Sequence, residues 1–239
     1  MKLVKHCLLT LSLATAAVAA QAQSADEIFA KHIDAIGGKE KLSAITSVKM
    51  TNTNLVMGNE APATVVILNG KGFRSEADVM GSKMIQVFTD KGGWMVNPMM
   101  GATDPQEIPA EQAKMGQSQI YVVPLLNYAA NGSKAEYLGQ EKLGSVNAYK
   151  VKLTDKNNEV TTYYFDPATY YLIQTVRSAE MMGQKVEVTT AFADFKKTNY
   201  GWVVPQTMEI NMGQFAITSK LKNIEVNLPV DAAVFEMKK

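Results

Sequence analysis

The sequence predicts an α+β protein, mainly β, whose strands form a single antiparallel sheet. The first observation is the stretch 149–226, where apolar and polar residues alternate and no segment has helical periodicity. The second is one clear amphipathic helix at 24–36. The third is one long interruption of the strand pattern, at 98–132. Because each alternating strand has one apolar face, one face of the sheet must be covered.

The predicted helix begins with a residue suited to cap it. Ser24 can accept a hydrogen bond from the first turn, and Asp26 and Glu27 favour its positive end. The pair Gly37–Gly38 ends it. This segment therefore predicts an N-terminal helix with one apolar side.

Strands follow the helix directly. Alternation and flanking glycines predict strands at 48–57, 62–69 and 73–79. The segments 84–89 and 94–97 face each other across an Asp-Lys-Gly-Gly turn, which predicts a hairpin.

The segment 98–132 loses the strand pattern. Four prolines punctuate it, and 110–115 has helical character. A connection of this length without strands is typical of a lid or a binding segment. Simple packing of helices on the sheet is the alternative.

The second half of the chain predicts a meander that starts near Val146 and ends at Val226. In its last strand, Phe215, Ile217 and Leu221 share a parity that Ile224 does not, which predicts a β-bulge between them. A short turn at 231–235 is expected to plug one end of the core.

The N-terminus has the pattern of a secretory signal peptide. Lys2 and Lys5 precede an apolar run, and Ala20 and Ala22 form a small-x-small cleavage site. We expect cleavage after Ala22, which leaves 23–239 as a single domain. An uncleaved anchor is the alternative, but the apolar run is shorter than the roughly 20 residues of a spanning helix.

Composition excludes several classes of function. The one cysteine, Cys7, lies inside the leader and is badly placed for lipid attachment, so we expect neither disulfides nor a lipoprotein. Without the leader, 22 basic residues stand against 23 acidic ones, a balance that does not favour a nucleic-acid partner.

No pattern in the sequence indicates catalysis, a cofactor or a metal. His32 is the one histidine after the leader, and without a nearby Cys, Asp or Glu at ligand spacing it is expected to be a packed side chain. Nucleophile-elbow, Walker A and dinucleotide-binding motifs are absent. The polar run 155–159 does not match a calcium loop and predicts a hairpin tip.

Two compositional features remain. The chain has fourteen methionines, and only Met1 lies in the leader. Their flexible side chains suit a cavity for chains of varying shape, although gap-filling in an ordinary core is the alternative. Arginine occurs only at Arg74 and Arg177, where each guanidinium can hold a fixed set of hydrogen bonds.

Three local patterns resemble the LolA/LolB-like family of periplasmic lipoprotein carriers: AIGGKEKL at 35–42, YYFDPATYYLIQTV at 163–176 and VNLPVDAAVF at 226–235. The resemblance implies a sheet curled into an incomplete β-barrel around an N-terminal helix and a mid-chain helical lid, with a hydrophobic cavity for acyl chains. Arg74, on an early strand, is the candidate for the arginine that locks the lid in that family.

On this basis we expect two sets of lipid-contacting residues. Strand positions line the cavity, and they are Val186, Val188, Phe192, Met208, Ile210, Met212, Phe215 and Ile217. The residues expected to close over them are Trp94, Ile120, Val123 and Leu126.

The expected function is a non-catalytic periplasmic carrier that shields lipid or lipoprotein acyl chains. It would be a monomer with transient membrane contact and possible protein partners in the cell envelope. The alternative is an interaction module whose core is filled. An enzyme would need a buried polar cluster, which the sequence does not indicate.

Overall fold

The computed structural model describes residues 24–181 and 184–237. The predicted leader, 1–22, lies outside these residues, so its cleavage remains a prediction. No helix in the described part of the chain is both long and apolar enough to cross a membrane.

Three α-helices and fifteen strands are described. The helices are α1 (Ala25–Ala35), α2 (Lys39–Ser43) and α3 (Ala110–Gly116). The first strands are β1 (Ser47–Val56), β2 (Asn59–Leu68), β3 (Gly72–Val79), β4 (Ser82–Thr89), β5 (Gly92–Asn97) and β6 (Ala102–Glu107). The later strands are β7 (Lys134–Leu143), β8 (Val146–Thr154), β9 (Val160–Phe165), β10 (Leu172–Met181), β11 (Gln184–Ala193), β12 (Lys196–Lys197), β13 (Val203–Val204), β14 (Thr207–Met212) and β15 (Phe215–Val226).

Thirteen strands form one antiparallel sheet in the order β6-β5-β4-β3-β2-β1-β15-β14-β11-β10-β9-β8-β7, and β12 pairs separately with β13. The sheet does not close, because β6 and β7 are its two edges. This confirms the predicted fold class of a mainly β protein with an incomplete barrel and a few helices. Pairing of β1 with β15 joins the two halves of the chain.

The two faces of the sheet are distinguished by what covers them. Directly paired residues of neighbouring strands share a face, so the register assigns each side chain. We call the face that carries Val48, Phe88 and Phe165 the inner face, because α1, α2 and the segment 108–126 pack on it. The opposite side is the outer face.

Helix α1 forms as the sequence predicts. The Ser24 side chain accepts a hydrogen bond from the backbone N of Glu27 at 3.1 Å. Ile28 and Phe29 are buried against Val151 and Phe165, so the helix covers the strands β8 and β9. The last turn and α2 cover β1 through a second buried cluster that includes Ile33.

The predicted bulge in the last strand is confirmed. In the β1–β15 ladder Thr51 pairs with Asn223 and Asn52 pairs with Leu221, which leaves Lys222 without a partner. The extra residue puts Leu221 and Ile224 on the same inner face despite their opposite parity.

The C-terminal turn is present, but it covers a different surface from the one expected. Asp231 caps the 3₁₀ turn Ala232–Phe235 through a hydrogen bond from the backbone N of Ala233 at 2.9 Å. Phe235 packs on the outer face, against Val87 and Trp94. The turn therefore closes a small second core behind the sheet.

Sequence patterns did not predict β6, β7 or the pair β12–β13. β6 is polar and contains Pro105, which suits an edge strand. In β7 the register shifts between Tyr137 and Gln140, at Gly139, so the alternation changes phase within the strand.

Candidate functional site

The centre of the inner face is an apolar patch on β11, β14 and β15. In the register Val188 pairs with Met212 and Met212 with Phe215. Ile210 pairs with Ile217 in the next row. These rows lie on the inner face. Ile217 pairs with Val56, which points to the same side of β1 as Val48. All eight predicted strand positions lie on this face, as Phe192 pairs with Met208 and Val186 has the parity of Val188.

The accessibility of this patch differs from that of the rest of the inner face. Val188 is buried, Phe215 is 49% exposed, and the other six positions are half-buried. The four buried apolar clusters of the described residues are built from other side chains. The patch is therefore apolar and only partly covered, which is the condition for binding an apolar ligand.

The segment 108–127, which we call the lid segment, lies over the parts of the inner face beside this patch. Ile120 is buried against Phe88 of β4. Val123 and Leu126 pack on the cluster formed by α1, α2 and β1. The three predicted lid residues thus contact the sheet and the helices, and their contact with a ligand remains a proposal.

Asn69, at the β2–β3 turn, ties this segment to the sheet. Its Oδ1 accepts a hydrogen bond from the backbone N of Val122 at 3.1 Å. Its Nδ2 donates to the carbonyl oxygen of Ile45 at 3.0 Å, and the neighbouring Gly70 N donates to Ile120 O at 2.9 Å. Sequence reasoning missed this latch, because it placed Asn69 in the preceding strand and used only Gly70 and Gly72 as separators.

Arg74 lies on the early strand where the sequence analysis put it, but both Arg74 and Trp94 are on the outer face of the sheet. Trp94 pairs with Val87 and points to the outer face, where its Nε1 donates to the carbonyl oxygen of Phe235 at 2.8 Å. Arg74 shares that face, since it pairs with Val87 in the β3–β4 ladder. The expectation that Trp94 closes over the inner face is corrected, because its strand parity directs it away.

The contacts of Arg74 also differ from those of a lid lock. Its guanidinium bonds the Glu76 carboxylate at 2.8 Å and the Val234 carbonyl at 3.2 Å, and it lies 5.5 Å from the centre of the Trp94 ring. Arg74 therefore fixes the C-terminal turn, and the contact to the lid segment is made by Asn69.

A cavity of about 480 Å³ lies between the lid segment and strands β8–β10. Ile120 and Tyr128 line it on one side, and Leu153 and Tyr163 on the other. Burial raises the pKa of Tyr163 to about 12, so its hydroxyl stays neutral at physiological pH. Polar and charged residues, among them Asp155, Lys156 and Glu159, also line the cavity, so its walls are mixed in character.

Arg177 lies on the inner face of the sheet and, like a second basic residue, Lys156, lines this cavity. It pairs with Val188 on one side and Thr161 on the other, which fixes its face. It forms no ion pair with any residue that the structure describes. Partial desolvation by the surrounding protein lowers the pKa of its guanidinium, and the nearby Tyr163 and Glu159 raise that pKa. Solvent still reaches the side chain.

The remaining polar candidates have structural roles. His32 is buried, and its Nδ1 lies 2.8 Å from the carbonyl oxygen of Tyr170. Asp155 accepts hydrogen bonds from the backbone N atoms of Asn157 and Glu159, which confirms the hairpin tip. Within 24–181 and 184–237, no group of three or more His, Cys, Asp or Glu residues is placed to hold a metal ion.

Comparison with known proteins reveals likeness of fold. No family model and no curated sequence matches the chain. Among solved structures, a domain described as an outer membrane lipoprotein-sorting protein from Vibrio parahaemolyticus is 15% identical, with a TM-score of 0.57 over 87% of this chain and 94% of that one. A LolA superfamily protein from Nitrosomonas europaea is 11% identical, with a TM-score of 0.59 over 90% of this chain and 98% of that one.

A DUF1329 family protein from Desulfovibrio piger is similar to the same degree. It is 11% identical, with a TM-score of 0.58 over 88% of this chain and 96% of that one. These matches confirm the predicted resemblance as a distant, LolA-like fold. They extend over nearly the whole of each relative, so the fold as a unit is shared.

Proposed function

We propose that this protein is a periplasmic carrier that shields the acyl chains of a lipid or lipoprotein, without catalysis. The observation that carries the proposal is the partly covered apolar patch of β11, β14 and β15 on the inner face. The shared fold with a lipoprotein-sorting domain and a LolA superfamily protein supports it, as does the predicted leader.

The energetics favour such a role. Each acyl methylene removed from water contributes about 0.8 kcal/mol, so one long chain left exposed would cost on the order of 10 kcal/mol. The ligand would lie along Met208, Ile210 and Met212, whose flexible or branched side chains can adjust to its shape. Opening requires the segment 108–127 to move, and its hydrogen bonds to Asn69 and Gly70 are few enough to break reversibly.

Charged substitutions on one strand test the proposal. The double variant M208D/I210D places carboxylates on the inner face of β14, whereas N211D places one on the outer face of the same strand. We expect the wild type and N211D, isolated from the periplasm without detergent, to carry a discrete lipid mass and to bind a fluorescent fatty acid. M208D/I210D should lose both.

A wild-type protein that is bare and takes up no fatty acid would contradict the carrier. That outcome favours the alternative, an interaction module of the cell envelope with a filled core. Equal binding by all three proteins would put the ligand elsewhere on the molecule.

A further inference from the structure

Five consecutive hairpins of the sheet carry the dipeptide Met-Gly at the same end. Along the sheet they are β5–β6, β3–β4, β1–β2, β14–β15 and β10–β11. The dipeptides are Met100-Gly101, Met80-Gly81, Met57-Gly58, Met212-Gly213 and Met182-Gly183. Residues 182–183 lie outside the described part of the chain, so the structural argument rests on the other four. We call this end of the sheet the methionine edge.

Large apolar side chains are exposed along this edge. Met80 is 75% exposed, Met57 71%, Met99 60% and Phe215 49%. Leu55 of β1 is 45% exposed close to the same turn as Met57. Single exposed apolar residues are ordinary, but a row of them on neighbouring turns indicates an interaction surface.

The backbone of two turns indicates that these methionines are not needed for folding. Met57 has φ 50° and Met80 has φ 52°, each followed by a glycine at positive φ. Two-residue turns of this kind are most stable with Asn-Gly, because Asn tolerates the left-handed region better than methionine. An exposed methionine therefore stands where asparagine would fold better and be more soluble.

We propose that the methionine edge docks on the surface of a lipid bilayer. The four described turns contain Met, Gly, Pro and Gln and no charged residue, although the Asp78 carboxylate of β3 accepts a hydrogen bond from the backbone N of Gly81 at 3.0 Å. Neighbouring turns lie about 10 Å apart, so the four described turns form a row of about 30 Å that can enter the interfacial layer together. A protein-binding surface would be expected to carry Tyr, Trp or Arg anchors, and the described tips have none.

The charges around the edge support a bilayer without requiring anionic lipid. The charged strand residues nearest the turns are Glu60, Asp78, Glu180, Lys83 and Lys185, three acidic and two basic. Lys83 is paired with Glu76 at 2.6 Å. The next tip along the sheet, β8–β9, contains Asp155, Lys156 and Glu159 and would stay in water. The edge is therefore apolar at its four described hairpins and polar at the β8–β9 tip, which sets an orientation.

This inference rests on the proposed function, since Met212 and Phe215 belong both to the edge and to the apolar patch. Docking at this edge would bring the patch next to the bilayer. A lipid chain could then pass between the membrane and the inner face along a short apolar path.

Asparagine substitutions test the docking without harming the fold. The variant M57N/M80N puts the preferred residue into both turns. The control L228N alters an apolar residue that is 41% exposed beyond the opposite end of β15. Each full chain is mixed with vesicles of neutral phosphatidylcholine, and the bound fraction is measured by flotation at low and high salt.

We expect the wild type and L228N to float with the vesicles to the same extent at both salt concentrations. M57N/M80N should bind at least about tenfold more weakly. Absence of wild-type binding, or equal binding by M57N/M80N, would overturn the proposal and leave a protein as the occupant of the edge. Binding that disappears in high salt would also contradict it, since charge would then carry the association.

Fatty-acid binding without vesicles separates this proposal from the carrier function. M57N/M80N should bind the fluorescent fatty acid as the wild type does. If no variant binds the fatty acid but vesicle binding still depends on Met57 and Met80, the carrier fails and the docking stands. If the fatty acid is bound and the vesicles are not, the reverse holds.

Discussion

At the scale of single residues, the two arginines of the chain lie in opposite electrostatic settings. Arg74 has a carboxylate, a carbonyl and an aromatic ring around its guanidinium. Arg177 has a cavity and no ion pair within the described residues. Arg177 is solvent-accessible, so the loss of its charge should have little effect on stability.

The matched variants R74M and R177M test this contrast. R74M removes an ion pair and a contact to the Trp94 ring, and we expect it to lower the free energy of unfolding by about 1–2 kcal/mol. R177M should change it by less than about 0.5 kcal/mol or raise it. Urea unfolding followed by intrinsic fluorescence measures both. Equal losses would show that Arg177 has a structural partner.

His32 couples the stability of the fold to pH. Burial lowers its pKa to about 4, and the hydrogen bond to the Tyr170 carbonyl opposes that shift only in part. The unfolded chain, with a histidine pKa near 6.5, binds a proton at higher pH than the folded one. Stability is therefore complete above pH 6.5 and falls as the pH decreases towards 4.

The variant H32Q isolates this contribution, because glutamine can still donate to the carbonyl of Tyr170 but does not titrate. We expect the wild type to lose up to about 3 kcal/mol more than H32Q between pH 7 and pH 4. Denaturant titrations at a series of pH values measure the difference. Parallel pH profiles would show that folding does not shift the pKa of His32.

At the level of single residues, the sequence predicted the role of His32 correctly but not the faces of the sheet on which Trp94 and Arg74 lie. The isolation of His32 from potential ligands predicted its packed position, and burial confirms it. Trp94 and Arg74 failed because a strand has two faces and the sequence does not say which is inner. Val87 and Trp94 are apolar on the outer face, where Phe235 covers them from the far end of the chain.

At the scale of elements, the latch of the lid segment is made by one turn. Asn69 connects Ile45 to Val122 through its two amide atoms. Alternation predicted the strands on both sides of this turn, since period-two patterns are local. The latch could not be predicted, because its partners lie 24 and 53 positions away in the sequence.

N69A should loosen the lid segment without unfolding the sheet. Loss of the two side-chain hydrogen bonds is expected to cost about 1–2 kcal/mol locally. Amide hydrogen exchange of 117–127 should therefore accelerate about five- to thirtyfold, whereas α1 and β8 keep their protection. N59A, at another hairpin turn, is the control, since Asn59 bonds only the nearby Met57 carbonyl. Uniform acceleration over the whole chain would indicate global destabilisation.

At the scale of the whole molecule, the sheet order follows almost directly from hairpins. Ten of its twelve strand pairings join strands that are consecutive in the chain. The two others are β1–β15, which joins the first strand to the last, and β11–β14, between which the chain forms the small sheet β12–β13. The meander was predictable from turns, whereas the curvature and the partly covered patch depend on the β1–β15 pairing across the entire chain.

A ligand on the inner face should stabilise this whole unit. The patch belongs to strands on one side of the β1–β15 pairing, and the lid segment contacts β1 and β4 on the other, so a ligand between them resists separation of the two halves. With a fatty acid at 100 times its dissociation constant, the free energy of unfolding should rise by about 2.7 kcal/mol. For a domain of this size that raises Tm by about 5–10 °C.

Calorimetry of the wild type, M208D/I210D and N211D with and without the fatty acid measures the effect. N211D should show the full rise, because its new carboxylate lies on the outer face of β14. M208D/I210D should show none, since it cannot hold the chain against its inner face. An equal rise in all three would place the bound fatty acid away from β14 and leave the apolar patch without a ligand.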